Sequence, residues 1–351
     1  MESAIKSPAE AWLSPPRRTF WRVLQGAFFA IGTVILAALL FQPQLGLQLL
    51  WNVLIPVAPA LLVLAPGLWR NVCPMATASM LPYHAGLSRR KRISVKWQGR
   101  LFVGAVVLLL VIVPLRHTML DTSGLITGTV LLAVALLAAG LGAVFDGKSA
   151  WCSGLCPVYP VELLYGERPV LTVRNSHCRE CTACVAPCAD SRPAAAPQDA
   201  GRRGLARVTA AAFTGGFPGF IIGWYQVPTW QPAEGLRNLH VAYAWPLGGM
   251  ALSLVLFLIL WNAYPMLQRG IGLLFAAAAV IAYYWFKLPV MLGLGDPASA
   301  LVPGVSLLPQ WAIWPLRAVV IVLFGTLLLR PAGGAWTLRP PRHKAGAPGH
   351  A

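Results

Sequence analysis

The stretch GLITGTVLLAVALLAAGLGAVF, residues 124–145, runs for 22 positions without a charged side chain. A helix of about 20 apolar residues crosses the hydrocarbon core of a bilayer, so this stretch predicts a transmembrane helix. The composition of the whole chain agrees, because 57% of its 351 residues are hydrophobic and only 11% are charged. Soluble domains carry roughly 25% charged residues, so the composition excludes an ordinary soluble protein.

Similar apolar runs recur on both sides of this stretch, and they predict an all-α polytopic membrane protein with eight transmembrane helices. The approximate predicted spans are 20–41, 46–69, 101–120, 124–145, 206–227, 243–263, 271–293 and 310–330. The first run has no small-residue cleavage site after it, which favours a retained helix over a signal peptide. The predicted domains are a first membrane domain (1–145), an iron–sulfur segment (146–205), a second membrane domain (206–330) and a disordered tail (331–351).

The distribution of basic residues predicts the orientation of these helices. Segments on one side of the predicted membrane hold 23 Lys and Arg, against 2 in the segments on the other side. Cytoplasmic segments carry the excess of Lys and Arg, so both termini and the segment 146–205 are predicted to be cytoplasmic. The net charge of +17 is therefore explained by membrane topology and contact with lipid, and we predict no nucleic-acid partner.

Four cysteines fall within eleven residues in the stretch CRECTACVAPC: Cys178, Cys181, Cys184 and Cys188. The spacing C-x2-C-x2-C-x3-C is that of bacterial ferredoxins and predicts one [4Fe–4S] cluster. Zinc sites usually split their ligands into two distant pairs, and unligated thiols would need no such spacing. Cys188 is expected to close its own cluster, although Cys156, which precedes a proline, is an alternative fourth ligand.

Three further cysteines lie after predicted helices. Cys152 and Cys156 form WCSGLCP (151–157) after the fourth helix, and Cys73 lies in WRNVCP (69–74) after the second. The two stretches align as a weak internal repeat of helix, helix, Cys-Pro and a short amphipathic segment, with Trp69 in the place of Cys152. Four roles stay open for these cysteines: a second metal or iron–sulfur centre, a redox-active thiol pair, a Cu(I) site or buried remnants of an ancestral motif. A second centre would need a fourth ligand such as His84 or Asp146.

Residues 20–190, with C-x3-C-P at the end of a membrane helix and a ferredoxin run after it, resemble the NapH/NosR-type membrane iron–sulfur proteins. That family includes quinol dehydrogenase subunits and oxidase-assembly ferredoxins. The resemblance implies a multi-pass protein of the bacterial inner membrane that transfers electrons, with quinol or a cytoplasmic reductant as donor. The chain departs from the family pattern in its single ferredoxin run, in its incomplete first Cys-Pro motif and in its last four helices.

A few polar residues near the predicted outer face are weaker candidates. His117 and His240 are candidates for a quinol pocket, although a lone histidine at a helix end is more often interfacial. Lys287, Arg317 and Asp296 are functional candidates because charges within spans usually are, with snorkelling to the surface as the alternative. No paired histidines suit a haem, and no nucleotide or flavin motif occurs in the sequence.

The leading prediction is a membrane-anchored electron-transfer protein between a cytoplasmic carrier and the quinone pool or a partner redox subunit. It could be a subunit of a quinone-linked oxidoreductase. Its basic loops suit an acidic ferredoxin or flavodoxin by charge steering. One alternative is an assembly factor that reduces or delivers copper to a respiratory oxidase through Cys73, Cys152 and Cys156. A second alternative is a transporter or sensor in which the cluster is a redox switch.

Overall fold

The computed structural model describes residues 14–171, 173, 176, 204–294, 300–301, 306 and 308–330. The described residues are mostly helical and contain no strand, apart from one isolated parallel bridge between Lys91 and Phe145. The α-helices are α1 (Pro15–Phe41), α2 (Pro43–Leu47), α3 (Ile55–Leu64), α4 (Pro66–Val72), α5 (Pro74–His84), α6 (Val95–Leu115), α7 (Gly124–Val144), α8 (Tyr159–Tyr165), α9 (Leu205–Trp224), α10 (Pro232–Arg237), α11 (Leu239–Ala263), α12 (Gln268–Met291) and α13 (Ile313–Leu329). Shorter π-helical segments are Gln48–Leu54, Arg116–Leu120 and Trp151–Leu155.

Within this described part, eight helical stretches are long and apolar enough to cross a membrane. They are Pro15–Phe41, Pro43–Leu64, Lys96–Leu120, Gly124–Val144, Leu205–Trp224, Leu239–Ala263, Pro265–Met291 and Gln310–Leu329. The predicted all-α, multi-pass membrane fold is thereby confirmed. The second span ends at Leu64 instead of residue 69, because the extended backbone of Ala65 breaks the helix and Pro66 starts another.

Prolines decide where several of these helices begin. The first turns of α1, α2, α4, α5 and α8 each contain a proline. Proline suits this position because its fixed φ matches the helix and its missing N–H would have no partner there. Two serines cap other helices: Ser94 Oγ accepts from Trp97 N, and Ser123 Oγ accepts from Ile126 N, each at 3.3 Å.

The spans alternate between two ends of the bundle, which we call the cysteine end and the far end. The cysteine end holds the residues after α3 and after α7, and there Arg269 at the start of α12 pairs with Glu167 at 3.0 Å. At the far end, Trp51 Nε1 donates to the carbonyl of Leu120 at 3.0 Å. Contacts between sequence-distant residues therefore fix which span ends lie together.

Glycines allow the closest helix pair of the second membrane half. α9 and α11 approach so closely that a Cβ on Gly219 would lie 2.0 Å from the carbonyl oxygen of Gly249. Small residues at such crossings let backbones pack tightly inside a membrane. On the adjacent residue, Gly248, a Cβ would meet nothing within 4 Å, so the close approach is specific to one face of α11.

The short helix α8 lies at the centre of the molecule, where it packs against α3, α6, α9 and α12. Tyr159 and Tyr165 at its two ends are each 1% exposed, and both belong to the main apolar core. Six of its seven residues are buried. Helices of both membrane halves therefore pack on the segment after this Cys-Pro motif, which the sequence predicts to be amphipathic.

Candidate functional site

The two Cys-Pro motifs form two corners of the backbone with the same geometry. Cys73 and Cys156 each have φ −58° and ψ 123°. A residue before proline is pushed into this extended region, so the chain leaves one helix and turns into the next. In both corners the cysteine N–H closes the preceding helix, on Trp69 O at 2.8 Å and on Trp151 O at 2.9 Å. The backbone thus supports the internal repeat that the sequence suggests.

Charged side chains tie the two corners together. Arg70, three residues before Cys73, forms a buried ion pair with Glu162 of α8. Lys148, which is 6% exposed, donates to the carbonyl of Arg70 at 2.8 Å. Both ties run from one copy of the repeat to the other, so the corners share one site at the cysteine end.

The three described thiols lie near one another and are partly buried. Burial raises the pKa of Cys73 and raises the pKa of Cys156 well above its ordinary value. The neighbouring sulfurs of Cys152 and Cys73 raise the pKa of Cys156 further, whereas the charge of Lys148 opposes the rise at Cys73. A protonated thiol is a weak nucleophile, so thiol exchange at Cys73 and Cys156 should be slow at neutral pH.

A buried hydrogen-bond network holds the chain just before the ferredoxin-type run. The backbone N–H and the hydroxyl of Ser176 both donate to Asn71 Oδ1, at 3.0 and 3.1 Å. Gln25 of α1 donates to Ser176 Oγ at 2.8 Å. Asn71 is 1% exposed and lies two residues before Cys73. The cysteine run is therefore entered from a fixed point beside the first corner.

The four cysteines of the run, at positions 178, 181, 184 and 188, lie outside the described residues. Among the residues that are described, no group of three or more His, Cys, Asp or Glu side chains could hold a metal ion. The two side chains considered as a fourth ligand are engaged elsewhere: Asp146 pairs with Arg90 at 3.6 Å, and His84 packs edge-on against Tyr83. A second centre that includes Cys73, Cys152 and Cys156 therefore stays a prediction.

The far end contains a second polar cluster, centred on Arg116. Its guanidinium makes two hydrogen bonds to the carboxylate of Asp121, at 2.9 and 3.3 Å. It also lies between the rings of Trp51 and Trp224, with its central carbon 4.0 and 4.8 Å from their centroids. A cation inside a span is stabilised by this pairing and by the aromatic faces.

The histidines considered for a quinol pocket differ in their surroundings. His240 is exposed, as an interfacial residue would be, but His117 is only 6% exposed. The two ring nitrogens of His117 are held by Thr229 Oγ1 at 3.1 Å and by the carbonyl of Trp224 at 3.0 Å. With both nitrogens bonded inside the protein, His117 has a structural role in this conformation.

The remaining candidates at the far end, Arg317, Lys287 and Asp296, also differ in their surroundings. Arg317 stacks on Trp285 at 4.7 Å and on Trp314 at 5.2 Å, which suits a snorkelling side chain. Lys287 instead turns inward and donates to Asn52 Oδ1 at 2.6 Å. Asp296 lies outside the described residues. Of the two that are described, Lys287 bonds across the boundary between the two membrane halves and Arg317 does not.

Sequence reasoning missed the residues that connect the site. Asn71 and Glu162 are polar residues next to the Cys-Pro motifs, and Gln25 interrupts the apolar run of α1. Each is therefore visible in the sequence as a polar residue in or beside an apolar stretch. Their partners could not be inferred, because they are distant in sequence.

No family model matches the chain, and neither the curated proteins nor the solved structures contain a significant match.

Proposed function

We propose that the protein is a membrane-anchored iron–sulfur electron-transfer protein, with one [4Fe–4S] cluster bound by Cys178, Cys181, Cys184 and Cys188. One observation carries the proposal: the two Cys-Pro corners converge at the point where the chain enters the ferredoxin-type run. Ser176, bonded to Asn71, precedes Cys178 by two residues. Two residues of extended chain span at most about 7 Å, so the anchor at Ser176 limits how far the first cysteine of the run can lie from the first corner.

The charge around this site supports an electron-accepting centre. Lys148 is buried within electrostatic range of Cys73. Positive charge near a cluster of thiolates favours its reduced form and raises its reduction potential. Beyond the first corner, the loop and the start of α6 carry six exposed basic residues: Arg89, Arg90, Lys91 and Arg92 in the loop, and Lys96 and Arg100 in α6. Such a surface suits an acidic ferredoxin or flavodoxin, whose approach it would accelerate by electrostatic steering.

The resemblance to the NapH/NosR-type proteins and the Lys and Arg distribution complete the proposal. They support a location in the bacterial inner membrane, with both termini and the cysteine end in the cytoplasm. The membrane quinone pool or a partner redox subunit would be the other electron-transfer partner. The protein would then be one component of a quinone-linked oxidoreductase.

Spectroscopy on the purified protein tests the proposal. The wild-type protein should show a broad visible absorbance that bleaches with dithionite, and Cys178→Ser should lose most of it. Cys73→Ser is the matched control, because it removes a thiol that lies outside the run. Bleachable absorbance that survives in Cys178→Ser but disappears in Cys73→Ser would refute the assignment of ligands.

A second function, copper reduction or delivery during oxidase assembly, is supported by the proximity of Cys156 to Cys152 and Cys73. Buried thiolates favour Cu(I), which would replace their protons on binding. Replacing Cys152 and Cys156 by serine separates the two functions. Loss of Cu(I) binding and of oxidase copper, with carrier-dependent reduction of the cluster intact, would favour assembly.

A further inference from the structure

A polar cluster inside the far half of the membrane domain joins the two membrane halves. Lys287 of α12 donates to Asn52 Oδ1 at 2.6 Å, and Asn52 Nδ2 donates in turn to Gln48 Oε1. Asn52 and Gln48 belong to the π-helical segment Gln48–Leu54 of the second span. A π-helical turn inside a helix is rare and often marks a functional site.

The positive charge of Lys287 has no negative partner among the residues that the structure describes. No described carboxylate lies within 4.0 Å of its ammonium group, and its hydrogen-bond partner is the neutral amide of Asn52. Asp121 is close enough for its charge to act on Lys287, but both of its oxygens already bind Arg116. Arg116 also repels Lys287, so the described residues of this cluster carry excess positive charge within a span, where an uncompensated ion is costly.

A second hydrogen-bond donor lies on the same face of α12. Tyr283 is four residues from Lys287, so the two side chains are neighbours on the helix. The described residues offer no hydrogen-bond partner to the hydroxyl of Tyr283. The neighbouring Tyr284 differs, because its hydroxyl accepts from Ala60 N at 2.9 Å and donates to the carbonyl of Pro56. The side chain of Tyr283 is only partly buried, so this unbonded hydroxyl is accessible to a ligand.

Aromatic rings line this part of the interface. Tyr225 stacks on Phe286 with centroids 4.7 Å apart and an angle of 22° between the ring planes. It also lies against Tyr283, with their ring centroids 6.3 Å apart. Flat apolar walls with two hydrogen-bond donors suit a planar ring that carries acceptor oxygens. The excess positive charge repels a metal cation and favours such an acceptor.

We propose that Lys287, Asn52 and Tyr283 form a binding site for the ring of a membrane quinone, with the quinone carbonyls accepting from Lys287 and Tyr283. The site rests on the proposed electron-transfer function, because it would place the quinone partner between the two membrane halves. It also gives a role to α12, in the half of the chain that carries no cysteine. Asn52 would orient the ammonium group, and Tyr225 and Phe286 would contact the ring.

Binding of decylubiquinone to the purified full-length protein in phosphatidylcholine nanodiscs tests the site. Lys287→Met should weaken binding about tenfold or more, because it removes a charged hydrogen bond, and Tyr283→Phe should weaken it several-fold. Arg317→Met is the matched control, since it removes a cation at the same end that stacks on tryptophans, and it should bind like wild type. Tyr283→Phe changes only a hydroxyl, so it keeps the test valid if Lys287→Met does not fold.

Two outcomes overturn the site. The first is equal binding by wild type, Lys287→Met and Tyr283→Phe. The second is displacement of decylubiquinone by phosphatidylglycerol but not by phosphatidylcholine, which would assign the cluster to an anionic lipid headgroup. The measurement is repeated with Cys178→Ser, because binding of the oxidised quinone does not need a cluster. Binding that depends on Lys287 in a wild-type protein that holds no cluster would refute only the proposed function. A wild-type protein that holds the cluster but does not bind quinone would refute only the site.

Discussion

The two Cys-Pro corners share a backbone but differ in what surrounds it. Cys73 and Cys156 have the same φ and ψ, yet Trp69 stands four residues before the first and Cys152 four residues before the second. The first corner also anchors Ser176, whereas the helix after the second corner supplies Glu162 to the ion pair with Arg70. The comparison indicates that the corner geometry and the thiol chemistry are separable. Proline maintains the geometry, and each copy adds different side chains to a shared site.

Breaking the tie between the corners should have the largest effect. Arg70→Ala removes the cation from the buried ion pair with Glu162, and loss of one member of a buried pair typically costs about 3–5 kcal/mol. The free energy of unfolding in mixed detergent micelles measures this. The double variant R70M/E162L should recover most of the loss, because two apolar residues can replace a buried ion pair. If Arg70→Ala lowers the free energy of unfolding by less than about 1 kcal/mol, as loss of an exposed ion pair would, the Arg70–Glu162 pair does not hold the corners together.

Removing the anchor of the first corner should have an intermediate effect. Asn71→Ala leaves the buried N–H and hydroxyl of Ser176 without their acceptor, at a cost of about 1–3 kcal/mol. We expect lower iron content per chain after purification, since the start of the cysteine run loses its position. Gln25→Leu removes only one bond to Ser176 and should lower the iron content less. Iron content that falls more in Gln25→Leu than in Asn71→Ala would contradict the anchor.

The loop after the first corner should control the rate of carrier docking. Arg92→Glu together with Lys96→Glu should slow cluster reduction by an acidic ferredoxin about tenfold at low salt, because steering depends on charge. Stopped-flow absorbance at low and high ionic strength measures the rate. The control is Arg237→Glu, an exposed basic residue of α10 at the far end. A slower reduction in the control, or no salt dependence in wild type, would argue against docking at this loop.

The smallest expected difference is in thiol reactivity between the corners. The pKa values of both thiols are raised above an ordinary value of about 9, and that of Cys156 is raised further than that of Cys73. A raised pKa means that thiolate forms only at higher pH, so alkylation rates should still be rising above pH 9 at both positions. Mass spectrometry of peptides after timed alkylation should show Cys73 reacting before Cys156. The opposite order, or a plateau below pH 9, would contradict the described burial.

Much of the fold was predictable because the bilayer imposes simple rules. Apolar length and the Lys and Arg distribution identify eight spans without any knowledge of packing. The break at Ala65 was harder to foresee, because the apolar run continues through it to Trp69. The burial of α8 was not predictable either, since it depends on helices of the second half that reach it through tertiary contacts.

The candidate site was predictable only in its chemistry. Spacing alone identifies the ferredoxin-type run and the Cys-Pro motifs. The contacts of Arg70 with Glu162 and of Lys287 with Asn52 join residues 92 and 235 positions apart, and one sequence gives no sign of such pairs. The buried state of His117 was missed for the same reason, because Thr229 and Trp224 reach it from the second half.

Counting iron and acid-labile sulfide in the purified protein, together with electron paramagnetic resonance after reduction, tests the central claim most directly. The account predicts about four irons and four sulfides per chain, with the signal of one reduced [4Fe–4S] cluster. Cys181→Ser should lose most of both elements, whereas Arg317→Met should retain them. One zinc per chain with no sulfide, or full iron content in Cys181→Ser, would contradict the account.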